Sequence, residues 1–245
     1  MDFTTLGGVA AFAVLIFVGI MTKQLSGSLL NLHGLLVVAG GTLVAMLVNT
    51  PRRYLSKALS EVFYIFKEGA ESDLGRMVPV LVALAEQCRM RGLSAMKDAD
   101  SRVAGGFLAR ASAAALEYND YQFVRQVLEQ EINQGYDEIN EVANIYRTMG
   151  VLAPMFGLIG TLMGIIGVLK ELSNPETVGP AMAVAITSAF YGILFANMVC
   201  VPIAGKIRAR ALLEVKMRSM ILEGVLEIMK GSMPMVVERR LQSYL

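Results

Sequence analysis

Charged residues occur along this chain in clusters separated by four long uncharged gaps: Asp2 to Lys23, Lys23 to Arg52, Arg147 to Lys170, and Glu176 to Lys206. Each gap can supply the roughly 20 apolar residues that a helix needs to cross the hydrocarbon of a bilayer. The pattern predicts transmembrane helices at about 5–22, 32–49, 149–169 and 180–204. The first has Asp2 in place of a basic start and is followed at once by a second span, so it reads as a retained helix and not a cleaved signal.

The polar stretches between the spans carry a helical period. RRYLSKALSEVFYIFKEGAE places Leu55, Leu59, Val62, Phe63 and Phe66 on one face, and the pattern continues through RMVPVLVALAEQCRMRG, FLARASAAALEY and the run from Tyr121 to Gly150. Gly92, Gly105 with Gly106, and Asn119 with Asp120 punctuate it. No segment alternates like a strand. The last of these helices is expected to run into the third span without a loop. The fourth span is expected to continue through Lys206 to Lys230 and to end at Pro234.

Lysine and arginine set the orientation. Of the 22 basic residues, 12 lie between 49 and 147 and 8 lie after 204, leaving Lys23 and Lys170 for the other side. Basic residues near span ends stay in the cytoplasm, which places both termini and the long loop there. The expected fold is an all-α integral membrane protein with four transmembrane helices, a cytoplasmic helical domain between helices 2 and 3, and a cytoplasmic C-terminal helix. Its domains would be 1–50 (helices 1 and 2), 51–147 (cytoplasmic helical domain), 148–205 (helices 3 and 4) and 206–245 (C-terminal helix and tail).

Composition agrees, with 55% apolar and 18% charged residues over 245 positions, too oily for an ordinary soluble domain. Enzyme chemistry finds little support. There is no phosphate-binding loop, no histidine and carboxylate cluster for zinc, and a single histidine, His33, which reads as a wetted interfacial residue. Cys88 and Cys200 fall in different compartments and read as packed thiols. No cofactor, no resident metal and no nucleic-acid partner is expected.

The two last spans contain the candidate chemistry. Pro154, Gly157, Thr161 and Gly164 share one face at spacings of three and four, and a proline in mid-span leaves a carbonyl without its amide. In the fourth span Ser188, Gly192, Phe195, Val199 and Pro202 are expected on one face, with Thr187 beside it. Neither span holds a carboxylate, lysine, arginine or histidine. A polar ion route and close helix packing through small residues both fit this pattern.

The strings APMFGLIGTLMG (153–164), GPAMAVAI (179–186) and YGILFANMVCVPIAGKI (191–207) resemble the MotA/PomA family, the ion-channel subunit of the bacterial flagellar stator. The likeness extends over the whole four-span plan, which differs from the three-span ExbB and TolQ proteins. The resemblance implies a pentamer in the bacterial inner membrane around a dimer of a single-span MotB or PomB partner, whose aspartate supplies the carboxylate missing here. Ion flow is then converted into rotation through the rotor protein FliG. It implies an ion path and coupling role for Pro154, Gly157, Thr161, Thr187, Ser188 and Pro202, with a transient sodium near Thr161. Threonine at position 161 matches the sodium-driven members, while Ala189 departs from their threonine two residues before the YG pair; on balance sodium is favoured over protons. For the rotor interface the resemblance gives Arg89 and Arg91, while the family's glutamate position is Lys97, so the acidic contact shifts to Asp98. The same architecture energising a non-flagellar system, such as outer-membrane transport, gliding or defence, stays open from sequence.

Overall fold

The computed structural model describes residues 31–65, 71–170 and 175–245, together with isolated positions between 7 and 21. The first span, expected at 5–22, falls mostly outside the described residues. Among the described residues every regular element is helical, in keeping with the all-α expectation. Three helical stretches are long and apolar enough to cross a membrane, Leu32–Asn49, Tyr121–Lys170 and Val178–Met229.

The chain divides into two compact units, one of 1–67 with 141–207 and one of 68–140 with 208–245. In the first, α1 (Leu32–Asn49) starts where the Asn31 side chain accepts hydrogen bonds from the His33 and Gly34 amides. This side-chain cap satisfies two of the donors that a helix start leaves open. Its buried row is Gly34, Val38, Thr42 and Met46, an i, i+4 ridge. The Thr42 hydroxyl, fully buried, donates to the Val38 carbonyl at 2.6 Å, so no polar atom is stranded there. Next, α2 (Arg52–Ile65) buries Ala58, whose carbonyl accepts from the Tyr146 hydroxyl at 2.7 Å. Leu59, expected on the apolar face of this helix, is 69% exposed. Leu55 and Val62 of the same stripe are half-buried.

The second unit is a helical bundle. It contains α3 (Glu71–Arg91), two short 3₁₀ turns at Leu93–Asp98 and Val103–Gly106, α4 (Phe107–Tyr118), residues 121–140 of α5 (Tyr121–Lys170), the last part of α7 (Val201–Met229), and α8 (Pro234–Leu241). Leu81, Met96, Phe107, Leu108, Leu128, Met220, Ile221, Leu226 and Leu241 form its buried core. All three expected breaks are breaks. Gly92 has φ +79°, Gly105 and Gly106 have φ +63° and +84°, and Asn119 has φ 47°. These are left-handed conformations that glycine adopts freely and asparagine tolerates.

The 50-residue α5 continues without interruption into the third span, as its period foretold. The carboxylate of Asp120 starts it, accepting from the Gln122 amide at 2.8 Å and the Phe123 amide at 3.2 Å. The expected end at Pro234 is corrected. Helix α7 stops at Met229, and Gly231, at φ +74°, turns the chain so that its own amide meets the Ile228 carbonyl and the Ser232 amide meets the Glu227 carbonyl at 3.1 Å. This glycine-dependent closure absorbs carbonyls that the helix end leaves free. Pro234 instead opens α8, at a position where a missing amide costs nothing.

Candidate ion path and coupling residues

The third span packs on α6 (Pro175–Phe195) through backbone surfaces. A Cβ added at Gly164 would lie 2.8 Å from the Ala185 amide nitrogen and 2.9 Å from the Ala181 carbonyl oxygen. One added at Gly192 would lie 2.6 Å from the Ala153 carbonyl oxygen and 3.1 Å from the Pro154 Cα. Only a missing side chain allows such approach, and in lipid this contact replaces the hydrophobic drive that water supplies elsewhere. The face foreseen from sequence is real, since Gly157 and Gly164 are buried while Pro154 and Thr161 are half-buried.

Thr161 joins the two helices. Its hydroxyl donates to the Gly157 carbonyl at 3.0 Å in its own helix and to the Ala185 carbonyl at 3.1 Å across the interface. The proton is thereby shared between two carbonyls, and the oxygen keeps its two lone pairs as acceptor sites. Thr187 and Ser188, 3% and 0% exposed, are differently placed. Their hydroxyls donate within their own helix, Thr187 to Ala183 at 2.7 Å and Ser188 to Val184 at 2.7 Å. Ser188 sits between Gly34 of α1 and Gly160 of α5, where Cβ atoms would lie 2.9 Å and 2.6 Å from its oxygen. It is a wedge in a three-helix contact.

The face expected in the fourth span does not hold together. Ser188 and Gly192 are buried, whereas Val199 is 40% exposed and Pro202 is exposed. A π-turn over Ala196–Cys200 is the cause, with the Val201 amide reaching back to the Ala196 carbonyl. The wider turn adds a residue to the register, so the buried row runs Ser188, Gly192, Ala196, Cys200 and Ala204. Pro202 was the only hint of this in the sequence.

The four rotor-interface candidates, Arg89, Arg91, Lys97 and Asp98, all lie on the surface of the second unit. The two arginines close α3, and Lys97 and Asp98 close the 3₁₀ turn that follows Gly92. Between the arginines, Met90 is 77% exposed. Among the described residues no group of three or more His, Cys, Asp or Glu side chains is placed to hold a metal. Cys88 and Cys200 are both free and buried.

Fold and site together define a helical membrane protein whose spans pack through glycines and hydroxyls, with a separate helical bundle. Residues 99–220 match the MotA/TolQ/ExbB proton channel family. The chain is 30% identical to Motility protein A of Treponema pallidum, covering 100% of this chain and 94% of that protein. It is 29% identical to Chemotaxis protein PomA of Vibrio alginolyticus, covering 100% and 96%. Its fold superposes on the flagellar MotAB stator complex of Bacillus subtilis with a TM-score of 0.90 at 28% identity, covering 100% of this chain and 96% of that one. The chain belongs to the MotA/PomA family of flagellar stator ion-channel subunits, a class of membrane channel and not of enzyme.

Proposed function

We propose that this chain is the stator subunit of a flagellar motor in the bacterial inner membrane, with both termini and the helical bundle in the cytoplasm. As a pentamer it surrounds a dimer of a single-span MotB-type or PomB-type protein, whose aspartate carries the ion. It conducts sodium, in preference to protons, and transmits the resulting motion to FliG. The observation that supports this reading most is full-length similarity to stator proteins, combined with two spans that hold no carboxylate, lysine, arginine or histidine.

The roles follow the geometry. Thr161 is half-buried and its proton is held by two carbonyls, which leaves the oxygen as an acceptor and suits a hydroxyl helping to ligate a dehydrated cation. Pro154 and Pro202 interrupt the helical hydrogen bonding of spans 3 and 4 and give the helices places to bend. Thr187 and Ser188, buried with their hydroxyls satisfied, act as packing behind the path together with Gly157, and not as ion ligands.

Replacing Thr161 with alanine is expected to weaken sodium dependence. Swimming speed against sodium concentration at constant ionic strength should show a higher half-saturating sodium or a shift to proton driving. An unchanged curve would sink the sodium assignment. On the cytoplasmic side, reversing Arg89 and Arg91 together to glutamate is expected to reduce torque, with partial rescue by a reversed charge in FliG. Exposed pairs typically give about 0.2–1 kcal/mol each, so single changes should cause graded loss. Normal torque after the double reversal removes these residues from the interface.

A further inference from the structure

We propose that a cavity of about 230 Å³ at the Asn49 end of α1 binds the ethanolamine headgroup of a membrane phospholipid, with Glu141 taking the ammonium. Asn49, Thr50 and Tyr54 line it from the end of α1 and the start of α2, and Glu141, Asn144 and Thr148 line it from α5. The three α5 positions share one helix face at spacings of three and four. Glu141 is the one charged residue of this lining, and among the described residues it makes no ion pair. The lining therefore favours a cation. The end of α1 adds to this preference, since a helix C-terminus carries partial negative charge and the last turn of α1 has no basic residue of its own.

The residue types narrow the cation to a primary ammonium. Its three N–H donors suit a carboxylate set among side-chain amides and hydroxyls. A choline head has no donor and is recognised by an aromatic cage, whereas Tyr54 is the single aromatic residue of the lining. The place assigns that ammonium to a lipid. The cavity lies where an apolar helix long enough to cross a membrane ends, and Leu47 and Val48 beside it are 67% and 85% exposed, a surface for acyl chains. Arg52, which follows the cavity-lining Pro51, and Arg147, which precedes Thr148, are exposed cations suited to the phosphate. A helix of a partner protein, about 10 Å across, is too wide for this space. The site goes beyond the motor role and does not depend on ion conduction.

The test uses the complex of this chain with its single-span partner, solubilised and stripped of lipid. Native mass spectrometry follows binding of added phospholipids that share oleoyl chains and phosphate and differ only in an ethanolamine or a choline head. The ethanolamine lipid is expected to bind about fivefold more tightly. Glu141→Gln is expected to remove that preference, the equivalent of one partly exposed ion pair, and Glu86→Gln, on the surface of α3, to leave it intact. Equal affinity for the two heads overturns the site, and this comparison on the unaltered complex stays readable when a variant disturbs assembly. An undiminished preference in Glu141→Gln overturns it as well. Water-soluble phosphoethanolamine that competes as strongly as the lipid would reject a lipid as the ligand. Loss of subunits from the Glu141→Gln complex at unchanged lipid affinity would assign the cavity to a basic side chain of a neighbouring copy, against the proposal.

Discussion

Replacing Gly192 with valine is expected to abolish the stator complex in membranes, and it should be the most damaging single change in the spans. The Cβ alone would stand 2.6 Å from the Ala153 carbonyl oxygen and 3.1 Å from the Pro154 Cα. Both are backbone atoms, so no side chain can swing aside. Overpacking in a core that can relax costs about 1–3 kcal/mol, and a contact between two backbones falls at or beyond the upper end. The same change also pushes on Pro154, so the helix would have to bend at the position proposed for coupling. Abundance of the protein in membranes and the melting of the solubilised complex measure the effect. Gly205→Ala is the control, since a Cβ there meets nothing within 4 Å. Wild-type melting of the valine variant would mean that these helices do not approach as described.

Glu227→Ala is expected to loosen the C-terminal helix α8. The Glu227 side chain is 4% exposed and accepts from Lys230 at 2.9 Å, from Ser232 at 2.7 Å, and from Arg240. Arg240 also pairs with Glu223 at 3.0 Å, so Glu223 and Glu227 of α7 both grip Arg240 of α8. Hydrogen bonds to a charged group contribute about 1.5–3 kcal/mol each, and they are not additive. Lys230 and Arg240 are 40% and 51% exposed and recover hydration when the carboxylate is removed, so the net loss should be about 2 kcal/mol. Trypsin cleavage after Arg239 or Arg240 in intact membranes reports it. Cleavage as slow as in the unaltered protein would contradict the clamp.

The same carboxylate has a pH signature. Burial pushes its pKa up, but hydrogen bonds from Ser232 and Lys230 and the charges of Lys230 and Arg240 outweigh burial and hold it below the ordinary 4.5. A depressed folded pKa means that the unfolded chain binds the proton more readily. The stabilisation is therefore fully present above the unfolded value, and it disappears as pH falls through the folded one. Opening of α8, followed by amide hydrogen exchange corrected for the intrinsic pH dependence of exchange, should rise on acidification below about pH 4.5 in the unaltered protein and respond less in Glu227→Ala.

Much of this was legible in the residues themselves. Helix breaks at Gly92, Gly105 with Gly106, and Asn119 depend on local backbone freedom, which a residue type declares. The merger of a bundle helix with the third span followed from an unbroken period through Gly150. Errors arose where one local signal competed with another. Pro234 looked like a stop, but Gly231 had already closed the helix three residues earlier. Leu59 belonged to an apolar stripe, yet the chain covers Ala58 instead.

Other features depend on residues far apart in sequence. The third-span glycines could have served packing or a polar route, and only their opposition to Ala181, Ala185 and Ser188 shows that they bring backbones together. The gathering of Glu227, Ser232 and Arg240 needed the turn at Gly231 to bring α8 back. The π-turn moved Pro202 away from the face that straight helical counting assigned to it.

By itself the sequence determined where helices form, which of them suit a membrane, and that no carboxylate, lysine, arginine or histidine lies within the last two spans. Those properties are local, because charge, hydropathy and backbone freedom act over a few residues. Tertiary structure alone decided which hydroxyls are buried wedges and which keep free lone pairs, and where the fourth span changes register. Those outcomes depend on contacts between distant segments and on small shifts in helical winding, which residue spacing does not encode.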